Sequence, residues 1–142
     1  MASKIANMQQ AEQSSNDAPR LLLCDDSPIE RLALGHYLRS NGYAVDEAGD
    51  GQSALQFLKN RQIDLLLLDL QMPEVDGFHV LNYVAEHRRS LPVILLSGMK
   101  PDEIQDKMLG LKDQELPPLL LKPVDPEQLV EMVELRLSGE LP

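Results

Sequence analysis

The chain has 142 residues, is 43% hydrophobic, contains one cysteine and carries a formal net charge of −10 at pH 7. That length provides one domain with a core of its own, and the acidic balance excludes an electrostatic footprint for DNA, RNA or an anionic membrane, so no direct nucleic-acid contact is expected. Cys24 lies alone in an apolar run, which points to a reducing compartment, the cytoplasm, and no apolar run is long enough for membrane insertion.

Residues 1–19 are rich in Gln, Ser, Asn and Ala, lack the apolar stretch of a signal peptide and read as a flexible arm. "RLLLC" (20–24) is the first strand-length run. "SPIE" follows, with Ser27 as N-cap, Pro28 at the first helical position and Glu30 reaching back to the cap. Ala33, Leu34, Tyr37 and Leu38 then share one face of a helix. "YAVDEA" (43–48) is a second strand, polar enough to suit a sheet edge, and Ala54, Leu55 and Leu58 mark the second helix. "IDLLLL" (63–68) is the third strand and runs into Asp69; Leu81, Val84 and Ala85 mark the third helix. "PVILL" (92–96) is the fourth strand, Ile104 and Met108 mark a fourth helix, and "PLLL" (118–121) is the fifth strand. "DPEQ" repeats the helix-start pattern with Asp125, Pro126 and Gln128, and Leu129, Val130, Val133 and Leu137 mark the fifth helix. The order is βαβαβαβαβα, with four of the five strands nearly all apolar. Strands of that kind are covered by helices on both faces, so the expected fold is α/β, a doubly wound parallel sheet over residues 20–139 with a short tail at 140–142.

A carboxylate directly after four leucines needs explaining, because an ionised group is costly to remove from water unless it is paired. In an open α/β sheet, polar function collects beyond the carboxyl ends of the strands. Asp69 stands at such an end. So do Asp25 and Asp26 after the first strand, Ser97 after the fourth and Lys122 after the fifth. Three carboxylates brought together repel one another and need a cation or protons. Oxygen-only ligation favours Mg²⁺, and Mg²⁺ with a lysine can neutralise a phosphoryl group in transit. Asp69 is the candidate nucleophile, since a carboxylate can form an acyl phosphate, and Ser97 can donate to a phosphoryl oxygen.

With these residues the chain resembles a receiver domain of the response regulators of two-component signalling. "LLLCDDSP" carries the acidic pair, "LLLLDLQMPEVDG" the phosphoacceptor, "VILLSG" the hydroxyl and "LLLKPVD" the lysine-proline, in the family's order. The resemblance implies a flavodoxin-like sheet of order 2-1-3-4-5 with five helices. Asp69 would be the phosphorylated residue, and Asp26 a direct Mg²⁺ ligand with Asp25 assisting largely through water. The backbone carbonyl of Gln71 would complete the protein ligation, Ser97 would be the switch hydroxyl, and Lys122, aimed by a cis peptide bond to the following Pro123, would bind the phosphoryl group. It also implies a histidine kinase or histidine phosphotransfer protein as donor and a downstream protein as target. The chain would then catalyse only its own phosphorylation and dephosphorylation. Because it ends at Pro142, a stand-alone receiver signalling by protein contact is expected.

Each residue alone has a plainer reading: "DDSP" as an acidic helix start, Ser97 as a turn hydroxyl, Asp69 as a strand terminator, Lys122 as a surface lysine. Their conjunction favours the switch. His36, His79 and His87 have no metal-site spacing. Two departures from the family pattern stand out. Leu119 occupies the position, three before the lysine, where receivers usually carry a reporting aromatic, and "GLKDQELPP" before the last strand is rich in charge and proline. An alternative is therefore a pseudo-receiver, an interaction module independent of phosphorylation. A Mg²⁺-dependent aspartyl phosphatase is a further one, but it lacks a second acid two residues after Asp69.

Overall fold

The computed structural model describes residues 18–72, 77–99, 102–103 and 117–140. Strand β3 (Leu65–Asp69) lies at the centre, with β1 (Arg20–Cys24) and then β2 (Ala44–Ala48) on one side and β4 (Val93–Ser97) and then β5 (Leu119–Leu121) on the other. All pairs are parallel and the order is β2-β1-β3-β4-β5, the flavodoxin-like arrangement expected. Helices α1 (Pro28–Ser40), α2 (Gly51–Asn60), α3 (Gly77–His87) and α4 (Pro126–Ser138) cover the two faces. Of the helix expected around Ile104 and Met108, only Asp102 and Glu103 are described, both helical and exposed. Ile104 and Met108 themselves, most of the arm at 1–19 and Leu141 and Pro142 lie outside the described residues.

The leucine runs divide because successive side chains on a strand point to opposite faces. Leu22, Leu66, Leu68 and Leu95 pack against Ala54 and Leu58 of α2 and Val80, Leu81 and Val84 of α3. Their neighbours Leu21, Leu23, Leu65, Leu67, Ile94 and Leu96 pack on the other side, against Leu34 and Leu38 of α1 and Leu129, Val130 and Val133 of α4. Each fully buried leucine contributes roughly 1.5–3 kcal/mol of hydrophobic stabilisation. The edge position of β2 follows from its chemistry. Asp46 pairs with Arg20 at 3.1 Å, and Glu47 pairs with Arg39 at 2.8 Å and Arg31 at 3.5 Å.

Ser27 caps α1, its hydroxyl accepting from Glu30 N at 3.4 Å, and Asp125 caps α4, accepting from Glu127 N at 3.2 Å. Two expectations for α1 need correction. Its buried face is Leu34, Gly35 and Leu38, with Ala33 exposed and Tyr37 half-buried. The cause is Gly35, where a Cβ would come within 2.8 Å of Glu47 Oε2, so the helix turns this bare position toward β2. The side chain of Glu30 does not reach back to the cap but bonds Lys122 Nζ at 2.8 Å. A cation draws that carboxylate more strongly than a neutral amide would.

Candidate functional site

Register brings the predicted residues to one rim. Cys24 aligns with Leu68, Asp69 with Leu96 and Ser97 with Leu121, so the strands end almost level and the following residues converge. Asp25, Asp69 and Ser97 are buried, at 0%, 1% and 0% exposure, whereas Asp26 is exposed. One carboxylate oxygen from each of Asp25, Asp26 and Asp69 lies within 4.8 Å of the others. This all-oxygen set has the composition a hard cation such as Mg²⁺ requires.

Backbone amides fix the two buried carboxylates. Ser27 N donates to Asp25 Oδ1 at 2.9 Å, and Gln71 N donates to Asp69 Oδ1, also at 2.9 Å. Lys122 stands at the end of β5 immediately before a cis peptide bond to Pro123, as expected, with its amide donating to the Ser97 carbonyl at 2.9 Å. Its Nζ contacts Asp69 Oδ2 at 3.0 Å, Asp25 Oδ2 at 3.3 Å and Glu30 Oε2 at 2.8 Å. The Ser97 hydroxyl oxygen accepts from Met99 N at 2.9 Å, which leaves its own hydrogen to donate elsewhere.

Burial above all pushes the Asp69 carboxyl up to about 6, with the Asp25 charge adding to it, against the pull of the Gln71 amide and Lys122. Burial likewise raises Asp25, opposed by the Ser27 amide and Lys122. For Lys122 burial acts to lower the ammonium, but hydrogen bonds to Glu30 and Asp69 and the charges of Asp69 and Asp25 outweigh it and hold it above the usual lysine range. The hydrogen bond from Lys122 in turn draws Glu30 below its usual value. The site is therefore over-supplied with negative charge, and Lys122 is the cation that bridges Asp25, Asp69 and Glu30.

Asp25, Asp26, Asp69, Ser97, Lys122 and Gln71 thus share one rim. His36, His79 and His87 lie outside it: none joins the carboxylate cluster, and the His87 ring stacks on Tyr83 at 4.5 Å. Leu119 is half-buried, aligned with Leu95 and packed against the core under α2 and α3. Sequence reasoning missed the parts played by Glu30 and Gly77 and by the side chain of Gln71, which it had placed at the site through its carbonyl alone. Glu30 makes the shortest contact to Lys122, and Gln71 Oε1 accepts from Gly98 N at 3.1 Å, tying the loop after β3 to the loop after β4. At Gly77 a Cβ would strike the Asp69 carbonyl oxygen and lie 2.6 Å from Leu70 Cα, so only glycine lets α3 begin against the strand end that carries Asp69. The glycine closing "LLLLDLQMPEVDG" was the available signal for this last one.

Residues 21–134 match the family described as the response regulator receiver domain. The chain is 40% identical over 94 residues to a gliding motility regulatory protein of Myxococcus xanthus, covering 65% of this chain and 12% of that protein. It is 34% identical over 128 residues to the DNA-binding dual master transcriptional regulator RpaA of Synechocystis, covering 87% and 52%. It therefore spans about half or less of the length of these relatives. Among solved structures, the receiver domain of a Francisella response regulator superposes with a TM-score of 0.74 at 27% identity, covering 86% of this chain and 98% of that one. The signal receiver domain of a histidine kinase from Syntrophus aciditrophicus superposes with a TM-score of 0.75 at 29% identity, covering 86% and 92%. Together with the strand order and the rim, the match over residues 21–134 shows that the chain belongs to the response regulator receiver domains of two-component signal transduction.

Proposed function

We propose that the chain is a phosphorylation-driven switch in which Asp69 takes a phosphoryl group from a phosphohistidine of a histidine kinase or histidine phosphotransfer protein. The altered surface is then read by a downstream protein. The observation that carries this reading is a carboxylate 1% exposed, 3.0 Å from an ammonium and within 4.8 Å of two further carboxylates. At about 6, the Asp69 carboxyl is ionised at neutral pH and can act as a nucleophile. An Asp69 oxygen attacks phosphorus in line with the P–N bond; the O–P bond forms as P–N breaks, and the imidazole nitrogen leaves with the electron pair. Lys122 is placed to hydrogen-bond a phosphoryl oxygen, and the Ser97 hydroxyl to donate to another. Asp25, Asp26 and Asp69, with the Gln71 carbonyl, would hold Mg²⁺, which when bound neutralises phosphoryl charge.

Ile29 and Leu32, exposed by 82% and 61% near the start of α1, offer a protein donor an apolar foothold beside the rim. The single free cysteine, Cys24, suits a cytoplasmic setting. Residues 20–139 would form the receiver, with 1–19 and 140–142 as arm and tail. Incubation with acetyl phosphate and Mg²⁺, followed by intact-mass measurement, should add one phosphoryl group to the wild type and none to Asp69→Asn. Asp26→Ala should slow the reaction. An unmodified wild type would instead favour the phosphorylation-independent module, the reading to which Leu119 points.

A further inference from the structure

An ammonium has three hydrogens to give, and at Lys122 three carboxylates compete for them. Two are immobile: Asp25 and Asp69 are buried and each is anchored by a backbone amide at 2.9 Å. The third differs in kind. Glu30 makes the shortest contact, 2.8 Å, yet its side chain is 41% exposed and hangs from the first turn of α1 on a flexible stem. It has also left the helix cap that its position in "SPIE" suits.

A phosphoryl group arriving on Asp69 brings new oxygens that need a hydrogen from Lys122. The Asp69 contact passes to the phosphoryl group itself, and a second phosphoryl oxygen reaches Lys122 only if Asp25 or Glu30 yields. Asp25 cannot turn away without losing its amide and staying buried, whereas Glu30 can move into water, which replaces the lost hydrogen bond at little cost. We propose that Glu30 is a positioning residue that holds Lys122 in the resting site and gives it up to the phosphoryl group, so that it sets how tightly the site holds that group. The proposal rests on the phosphoacceptor reading above. Glu30 and the incoming phosphoryl oxygens then compete for Lys122, and removing Glu30 should favour the phosphoryl-bound state.

The test is a beryllofluoride titration in Mg²⁺, followed by amide chemical shifts, on wild type, Glu30→Gln and Glu30→Asp, with thermal unfolding as the folding control. Glu30→Gln removes the charge. Glu30→Asp keeps it but withdraws the carboxylate by about 1.5 Å, one C–C bond, from Lys122. Both variants should bind the mimic about threefold to fivefold more tightly than wild type, the range expected for releasing a partly exposed ion pair. In acetyl phosphate kinetics the same gain should appear more in the half-saturating donor concentration than in the limiting rate. Tighter binding in Glu30→Gln alone would reduce the effect to net charge and overturn the positioning role. Unchanged or weaker binding in both variants would overturn the proposal and leave the phosphoacceptor reading standing. A wild type that bound no beryllofluoride would overturn both.

Discussion

Asp69 is held in a place that suits its chemistry better than its stability. Burial raises its carboxyl from the 3.8 of an unfolded chain to about 6, so the folded state binds that proton more tightly than the unfolded state does. In the metal-free protein its contribution is then fully present below about 4, declines as pH rises toward about 6 and is gone above that. Asp69→Asn should therefore stabilise the metal-free protein at pH 7.5 by on the order of 2 kcal/mol and remove that decline. Urea denaturation in the presence of a chelator checks this; an equally or less stable variant would mean that Lys122 fully compensates the buried charge. The sequence disclosed Asp69 because an acid after four leucines demands a reason. It concealed the part played by Glu30, since a capping-box spacing is a local rule and Lys122 lies 92 positions away.

At the level of elements, what decided the fold was the alternation of apolar runs with helix starts, and these were legible. The caps at Ser27 and Asp125 stand where proline follows them, and β2 takes the edge its charges suit. The face of α1 was not legible, because Gly35 has no hydrophobic signature and its role depends on the proximity of Glu47. The same logic makes Gly77 a sharper test. A methyl there meets the backbone of Asp69 and Leu70, neither of which can swing aside, so Gly77→Ala should cost about 2 kcal/mol or more and slow phosphorylation by displacing Asp69. Thermal unfolding and acetyl phosphate kinetics would show it, and a neutral effect would mean that α3 can shift as a body. Asp125→Ala should cost only about 1 kcal/mol, the usual loss of an N-cap, with phosphorylation unchanged.

Across the whole molecule, residues from β1, β3, β4 and β5 meet because parallel strands end together. The rim was readable from strand ends alone; the strand order came from the resemblance, since alternation does not dictate which neighbours pair. The connection from Gln71 to Gly98 was invisible in the sequence, and it gives the response a route. A phosphoryl group that draws Ser97 should disturb the Gly98 amide, so beryllofluoride should shift Gly98 and Met99 more than the half-buried Leu119. All of this depends on Asp69 being the acceptor. Borohydride reduction of the protein after treatment with Mg²⁺ and acetyl phosphate converts an aspartyl phosphate to homoserine, and peptide mass spectrometry then locates it. Homoserine is expected at position 69 only when donor and Mg²⁺ are both present; reduction at another acid, or at none, would mean that Asp69 is not the acceptor.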